Sequence, residues 1–136
     1  MDRLVQQFPK DYRAYLFRGL YLYYFSRVDK KYYQQALQEF QKALALNSRS
    51  PLPYYYIGDL YTRSSLWTDA AWASDDVKFD DVRKAAQQYT KAIEVDSRFL
   101  PAYESRAESY LELKQSHPAI RDYDKILESR SSGMGE

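Results

Sequence analysis

Residues 85–123 read AAQQYTKAIEVDSRFLPAYESRAESYLELKQSHPAIRDY, and their spacing decides how the chain folds. Ala85 and Tyr89 open an amphipathic stretch that closes on Ala92-Ile93-Glu94-Val95 before the turn formers Asp96-Ser97. Pro101 starts a second stretch carrying Tyr103-x-x-Arg106-Ala107-x-x-Tyr110, and Pro118 starts a third with Ala119 and Tyr123. Small and apolar residues three and four apart line one face of a helix, and proline is tolerated in a helix's first turn. Ala85 and Ala119, each followed by an aromatic four positions on, stand 34 residues apart. A fixed period of that length marks a repeat architecture.

The pattern continues toward the N-terminus. Ala36 with Phe40 matches Ala85 with Tyr89, and Ala43-Leu44-Ala45-Leu46-Asn47-Ser48-Arg49 parallels the stretch from Ala92 to Arg98. Ile126-Leu127-Glu128-Ser129 closes the third copy in the same way. Tyr54-x-x-Ile57-Gly58-x-x-Tyr61 repeats the second stretch, and an earlier copy reads Tyr15-x-x-Arg18-Gly19-x-x-Leu22 after Phe8-Pro9. Three copies in register resemble the tetratricopeptide repeat, whose signature sets an aromatic, Leu-Gly, Tyr, Ala-x3-Phe and Pro on a 34-residue period. Gly19 to Gly58 is 39 residues and Ala36 to Ala85 is 49, which puts 5 extra residues in repeat one and 15 in repeat two. Departures are Tyr15, Tyr54 and Tyr103 at the tryptophan slot, Arg18 and Arg106 at the leucine, and Ser48 and Ser97 where Pro9 keeps the proline.

The resemblance implies an all-α, right-handed solenoid of antiparallel helix pairs. Three repeats, at about 12–48, 51–97 and 100–130, fall in one domain over 1–130. A partial helix at 1–8, with Leu4, Val5 and Phe8, precedes them, and 131–136 is expected to be a loose tail. Periodicity and turn residues predict helices over 12–26, 31–46, 52–65 or longer, 79–95, 101–114 and 118–129. Gly19, Gly58 and Ala107 are small enough for the helices of a repeat to approach closely. Gly58→Ala is therefore expected to be mild, since Ala107 fills the same slot.

Composition narrows the function. A chain of 136 residues that is 45% hydrophobic can bury one core, and 4 glycines with 5 prolines are too few for a many-stranded barrel. With no cysteine and one histidine, disulfides, thiolate nucleophiles and multi-histidine metal sites are excluded. Asp75, Asp76, Asp80 and Asp81 lack calcium-loop spacing and read as carboxylates favouring a helix start, while His117 reads as a turn residue. No enzyme activity, cofactor or metal is expected. A net charge of +1 disfavours nucleic acid as a partner, and without an 18-residue apolar run or a signal-like N-terminus no membrane span is expected, which favours the cytoplasm. The charge is uneven: nine Lys and Arg against four Asp and Glu make residues 1–50 +5, whereas 51–96 carry −3 and 97–136 carry −1.

In the family, first helices line a concave groove that holds protein segments. Projected onto this chain, that face holds Arg13, Leu16, Leu20, Tyr23 and Tyr24 in repeat one. Repeat two supplies Tyr55, Asp59, Thr62 and Arg63, and repeat three Glu104, Glu108, Leu111 and Glu112. The insertion at 66–81 offers a second candidate, a protruding tip with Leu66, Trp67 and Trp72 as anchors. Some family members clamp the C-terminal carboxylate of heat-shock chaperones with Lys, Asn and Arg. Leu16, Leu20, Pro101 and Ser105 stand at those positions, so no chaperone-tail binding of that type is expected. The expected function is binding of an unidentified protein or peptide in the groove or at the tip. The alternative is a structural spacer or a self-association module, including a homodimer through a solenoid end.

Overall fold

The computed structural model describes residues 2–67 and 75–134; the side chains of 65–67, 75–77 and 132–134 lie outside the description. The described residues form α1 (Asp2–Gln7), α2 (Tyr12–Phe25), α3 (Lys31–Leu46), α4 (Pro51–Trp67), α5 (Asp75–Val95), α6 (Leu100–Glu112) and α7 (Ser116–Met134). Pairs α2/α3, α4/α5 and α6/α7 pack most closely, and α4 and α6 each seat on the second helix of the preceding pair. This is the all-helical repeat architecture that the spacing implies. Two boundaries differ by more than two residues. The fifth helix starts at Asp75 rather than 79, and α7 runs to Met134, so residues 131–134 are helical rather than a loose tail. No proline follows Pro118 and the first glycine after it is Gly133, so nothing in Ser129-Arg130-Ser131 stops the helix.

Turn chemistry explains the helix starts. Asp11 caps α2 by accepting a hydrogen bond from the Arg13 backbone N–H at 2.9 Å. Asn47 and Asp96 fold the links after α3 and α5 by accepting from Arg49 N and Arg98 N at 2.9 and 3.0 Å. In repeats one and three the first-helix tyrosine ties back to the preceding turn. The Tyr15 hydroxyl donates to the Pro9 carbonyl at 2.9 Å, and the Tyr103 hydroxyl donates to the Ser97 carbonyl at 3.0 Å.

Leu16, Ala36, Leu37, Phe40, Ala43, Ile57 and Leu60 form the core where α2, α3 and α4 meet. A second cluster of Ala85, Tyr89, Ala92 and Ala102 joins α5 to α6, with Tyr54, Tyr55 and Phe99 packed around it. Phe40 and Tyr89 are almost wholly buried, each lying over a glycine of the facing helix. A methyl group on Gly19 would lie 2.6 Å from the Phe40 ring, so the ring's seat requires a residue without a side chain.

The two arginines at the leucine slot bridge three helices. Arg106 on α6 donates from Nε and Nη2 to Asp122 of α7 at 2.9 and 2.6 Å, and from Nη1 to Thr90 Oγ1 of α5 at 3.1 Å. Arg18 repeats this, donating from Nε to Glu39 of α3 at 2.8 Å and from Nη1 to Asp2 of α1 at 3.3 Å. The short α1 thus stands to α2 as the end of α5 stands to α6.

Candidate functional site on the concave face

The face formed by the first helices α2, α4 and α6 gathers most of the residues that the sequence assigns to a groove. At its centre Asp59 of α4 accepts hydrogen bonds from the Tyr89 hydroxyl at 2.6 Å and the Tyr23 hydroxyl at 3.1 Å. Burial pushes the Asp59 carboxyl above its ordinary value, while those two donors and the nearby Arg63 work in the opposite direction. One turn on, Arg63 lies 3.8 Å over the Tyr23 ring and donates from Nη1 to the Tyr23 carbonyl at 2.9 Å and to Ser26 Oγ at 3.2 Å. Those acceptors end α2, where carbonyls lack partners within the helix, so Arg63 caps one first helix from the next. Burial lowers the Arg63 pKa.

Tyr55 fills the seam toward α6. Its ring meets Tyr56, Tyr89 and Phe99 at centroid distances of 5.2, 5.8 and 5.4 Å. Burial and the Asp59 charge raise its hydroxyl pKa, opposed by a hydrogen bond with Ser105. On α6, Glu104, Glu108 and Glu112 share one side at four-residue spacing, and all three are exposed. Among the described residues none of them is ion-paired. Partial burial, then Glu104, Glu112 and Asp59, push the Glu108 carboxyl up.

Several projected residues lie elsewhere. Leu16 is 3% exposed and belongs to the core, because α2 turns that position toward α3 and α4. Leu20 packs against the same core and is half-buried. Arg13 is exposed and is held in an ion pair with Asp11 at 2.7 Å. Tyr24 is 64% exposed with its ring edge-on to Phe25, at the helix position where α4 carries Arg63 and reaches backward. It therefore points away from α4, toward the N-terminal end of the solenoid. Leu66 and Trp67 fall among the side chains outside the description, and Trp72 lies outside the described residues altogether. Of the acidic run, Asp80 pairs with Lys84 at 3.3 Å and Asp81 accepts from Ser64 Oγ at 3.0 Å, both inside α5 rather than at its start.

Sequence reasoning missed the Tyr89–Asp59–Tyr23 hub. The spacing reads Tyr89 only as the aromatic four positions after Ala85, although a hydroxyl buried there needs an acceptor. It also missed the exposed stripe of Phe17, Tyr21 and Phe25 on α2, continued by Val28 in the turn after it.

No protein-family model matches the chain. Human DnaJ homolog subfamily C member 7 is 33% identical over 55 residues, which are 40% of this chain and 10% of that protein. The chain thus spans about a tenth of the curated relative's length. The crystal structure of MamA superposes with a TM-score of 0.72 at 23% identity, covering 93% of this chain and 63% of that one. The second tetratricopeptide domain of Spaghetti (RPAP3), bound to the HSP90 peptide SRMEEVD, gives 0.64 at 19% identity over 90% of this chain and 95% of that one. No described helix is long and apolar enough to cross a membrane. With its repeated residue pattern, its stacked helix pairs and the same architecture in these structures, the chain has a tetratricopeptide-like helical-repeat fold.

Proposed function

We propose that the chain is a protein-interaction module that holds a partner segment along the concave face of α2, α4 and α6, with no chemistry performed on it. The observation that carries this reading is the row Glu104, Glu108 and Glu112, exposed and without an ion pair among the described residues, beside the half-buried Asp59, with Tyr55 and Tyr23 flanking it. Like charges one turn apart weaken a helix. A partner bearing Lys or Arg relieves that repulsion, while the tyrosines supply contact area at low entropic cost. The segment suited to the face is therefore basic at the end that lies on α6.

The RPAP3 domain is bound to an acidic peptide, and this face selects against one. Leu16, Leu20, Pro101 and Ser105 stand at the clamp positions, and the α6 carboxylates repel acidic side chains. Titration of the full chain with fixed-length peptides that differ only in charge tests the reading. Lys- and Arg-bearing peptides should bind and SRMEEVD should not. Glu104→Lys with Glu108→Lys should abolish the basic peptides' advantage, and Gln41→Glu, at an exposed position of α3 off this face, should leave it intact. Equal affinity for acidic and basic peptides would sink the reading.

A further inference from the structure

Tyr123, Ile126 and Leu127 of α7 line a cavity of about 260 Å³ beside Glu104 of α6, with Arg130 one turn past Ile126. The internal repeat shows what such a place holds. Counted from Ala85 and Ala119, Tyr123, Ile126 and Leu127 occupy the positions of Tyr89, Ala92 and Ile93 in α5. Glu104 likewise occupies that of Tyr55 in α4. There Phe99 and Ala102, at the start of α6, fill the space: Ala102 is fully buried with Tyr89 and Ala92, and the Phe99 ring stands 5.4 Å from Tyr55. Ser50 and Pro53 hold the same two positions at the start of α4 and are buried as well. Two features set the third site apart. Ile126 stands where Ala43 and Ala92 let the next helix approach closely, and in a close-packed interior its added carbons hold a helix axis away. The charged Glu104 stands where repeat two has an aromatic ring. What remains has room for one large side chain rather than for a helix.

We infer that this cavity is an anchor site for one aromatic side chain of the partner segment, at the end of a short row of Lys or Arg residues that lies along α6. The inference rests on the reading of the concave face as a site for basic segments, and it fixes the segment's register. Continuity selects this occupant. Glu104 borders the cavity and also opens the row Glu104, Glu108 and Glu112, so a segment lying on that row reaches the cavity without a gap. Its aromatic residue takes the place that Phe99 has one repeat earlier. Arg130 repels a further cation on its own side. Because α6 and α7 run antiparallel, that side lies away from Glu108 and Glu112. The basic residues therefore sit on one side of the anchor only. From Glu104 to Glu112 the helix rises about 12 Å, which an extended segment covers in about four residues at about 3.3 Å each. Alternate residues of an extended segment face the same way, so cations two and four places from the aromatic meet Glu108 and Glu112.

Fluorescence anisotropy of labelled peptides titrated with the full chain tests the site. The probes are a peptide with Phe placed two and four positions from its two lysines, the same peptide with Ala for Phe, and one with Phe moved about eight positions away. The first should bind about tenfold or more tighter than the other two, the effect of losing a central contact. Leu127→Ser should abolish that advantage while keeping the preference for basic over acidic peptides. Ile120→Ser, two turns earlier on α7, should change neither. Both positions are exposed, so helical circular dichroism should be unchanged in each variant. Equal binding of the Phe and Ala peptides, with the basic preference intact, would overturn the anchor site and leave the groove reading standing. A Phe advantage untouched by Leu127→Ser would do the same. Loss of the advantage in Ile120→Ser as well would mean that a helix or a second copy covers the length of α7, which also overturns a single-residue anchor. An acidic peptide binding as tightly as the basic ones would sink the groove reading and the anchor with it.

Discussion

A Cβ placed on Gly58 would lie 2.6 Å from Cε1 and 2.9 Å from both Cδ1 and Cζ of Tyr89. That ring is 1% exposed and its hydroxyl is held by Asp59, so it has no free direction in which to move. Gly58→Ala should therefore destabilise the fold by about 1–3 kcal/mol, as overpacking does, with Gly58→Leu worse. Urea denaturation of the two variants checks this. The sequence-based expectation of a mild Ala substitution came from Ala107, but there the facing aromatic is the half-buried Tyr123, which can yield. Asp59 carries a second expectation. Its carboxyl is raised above 3.8 by burial, so the native state binds that proton more tightly than the unfolded chain does. Ionising it then opposes folding, from about pH 3.8 upward to the full cost beyond its native pKa. Asp59→Asn keeps an acceptor for Tyr89 and should equal or exceed the wild type in stability at neutral pH. The difference should shrink to nothing as pH falls below 3.8, read from denaturation midpoints along a pH series.

Between elements, the arginine bridges account for the two departures at the leucine slot of the repeat signature. Arg106 is 17% and Asp122 is 6% exposed at the side chain, a nearly buried pair with two parallel hydrogen bonds. Arg106→Leu leaves Asp122 charged and unpartnered between α6 and α7. It should cost about 2–4 kcal/mol, somewhat below a fully buried pair because the guanidinium keeps some solvent contact. Adding Asp122→Leu should recover most of that loss, and a double-mutant cycle on thermal or urea unfolding measures the coupling. By spacing alone both arginines read only as departures from the leucine, although the sequence holds the signal for the bridges. Repeats one and three carry Arg18 with Glu39 and Arg106 with Asp122, whereas repeat two carries Ile57 with Gln88 at the same two positions. Helix number and order were legible, because the same pattern of small residues and aromatics recurs in each repeat despite its variable length. The start of α5 was not, since Thr68, Asp69, Ser74, Asp75 and Asp76 offer several cap residues and no proline chooses among them.

Across the whole molecule, projection along a single helix gives a residue's exposure only where no neighbour intrudes. Glu104, Glu108 and Glu112 lie exposed as expected, but a single-helix projection cannot tell that Leu16 lies under α3 and α4 or that Tyr24 looks toward the end. Tyr55 is wedged between repeats, so Tyr55→Ala should loosen the seam between α4 and α6 as well as any partner contact. Glu108→Ala is the cleaner probe. Its effect on a basic peptide's affinity should fade as salt rises, because at physiological ionic strength charges reach only about 8 Å. The stacking pattern also bears on how the chain acquires its shape. Each helix packs chiefly on its neighbour in sequence, and among the stronger contacts only that of α2 with α4 skips one. Little loop must close before each contact forms, which is the condition for fast folding, in microseconds to milliseconds for helical domains. A helix pair can thus assemble as soon as its own residues have been synthesised, and stopped-flow refolding should show no phase slower than proline isomerisation sets.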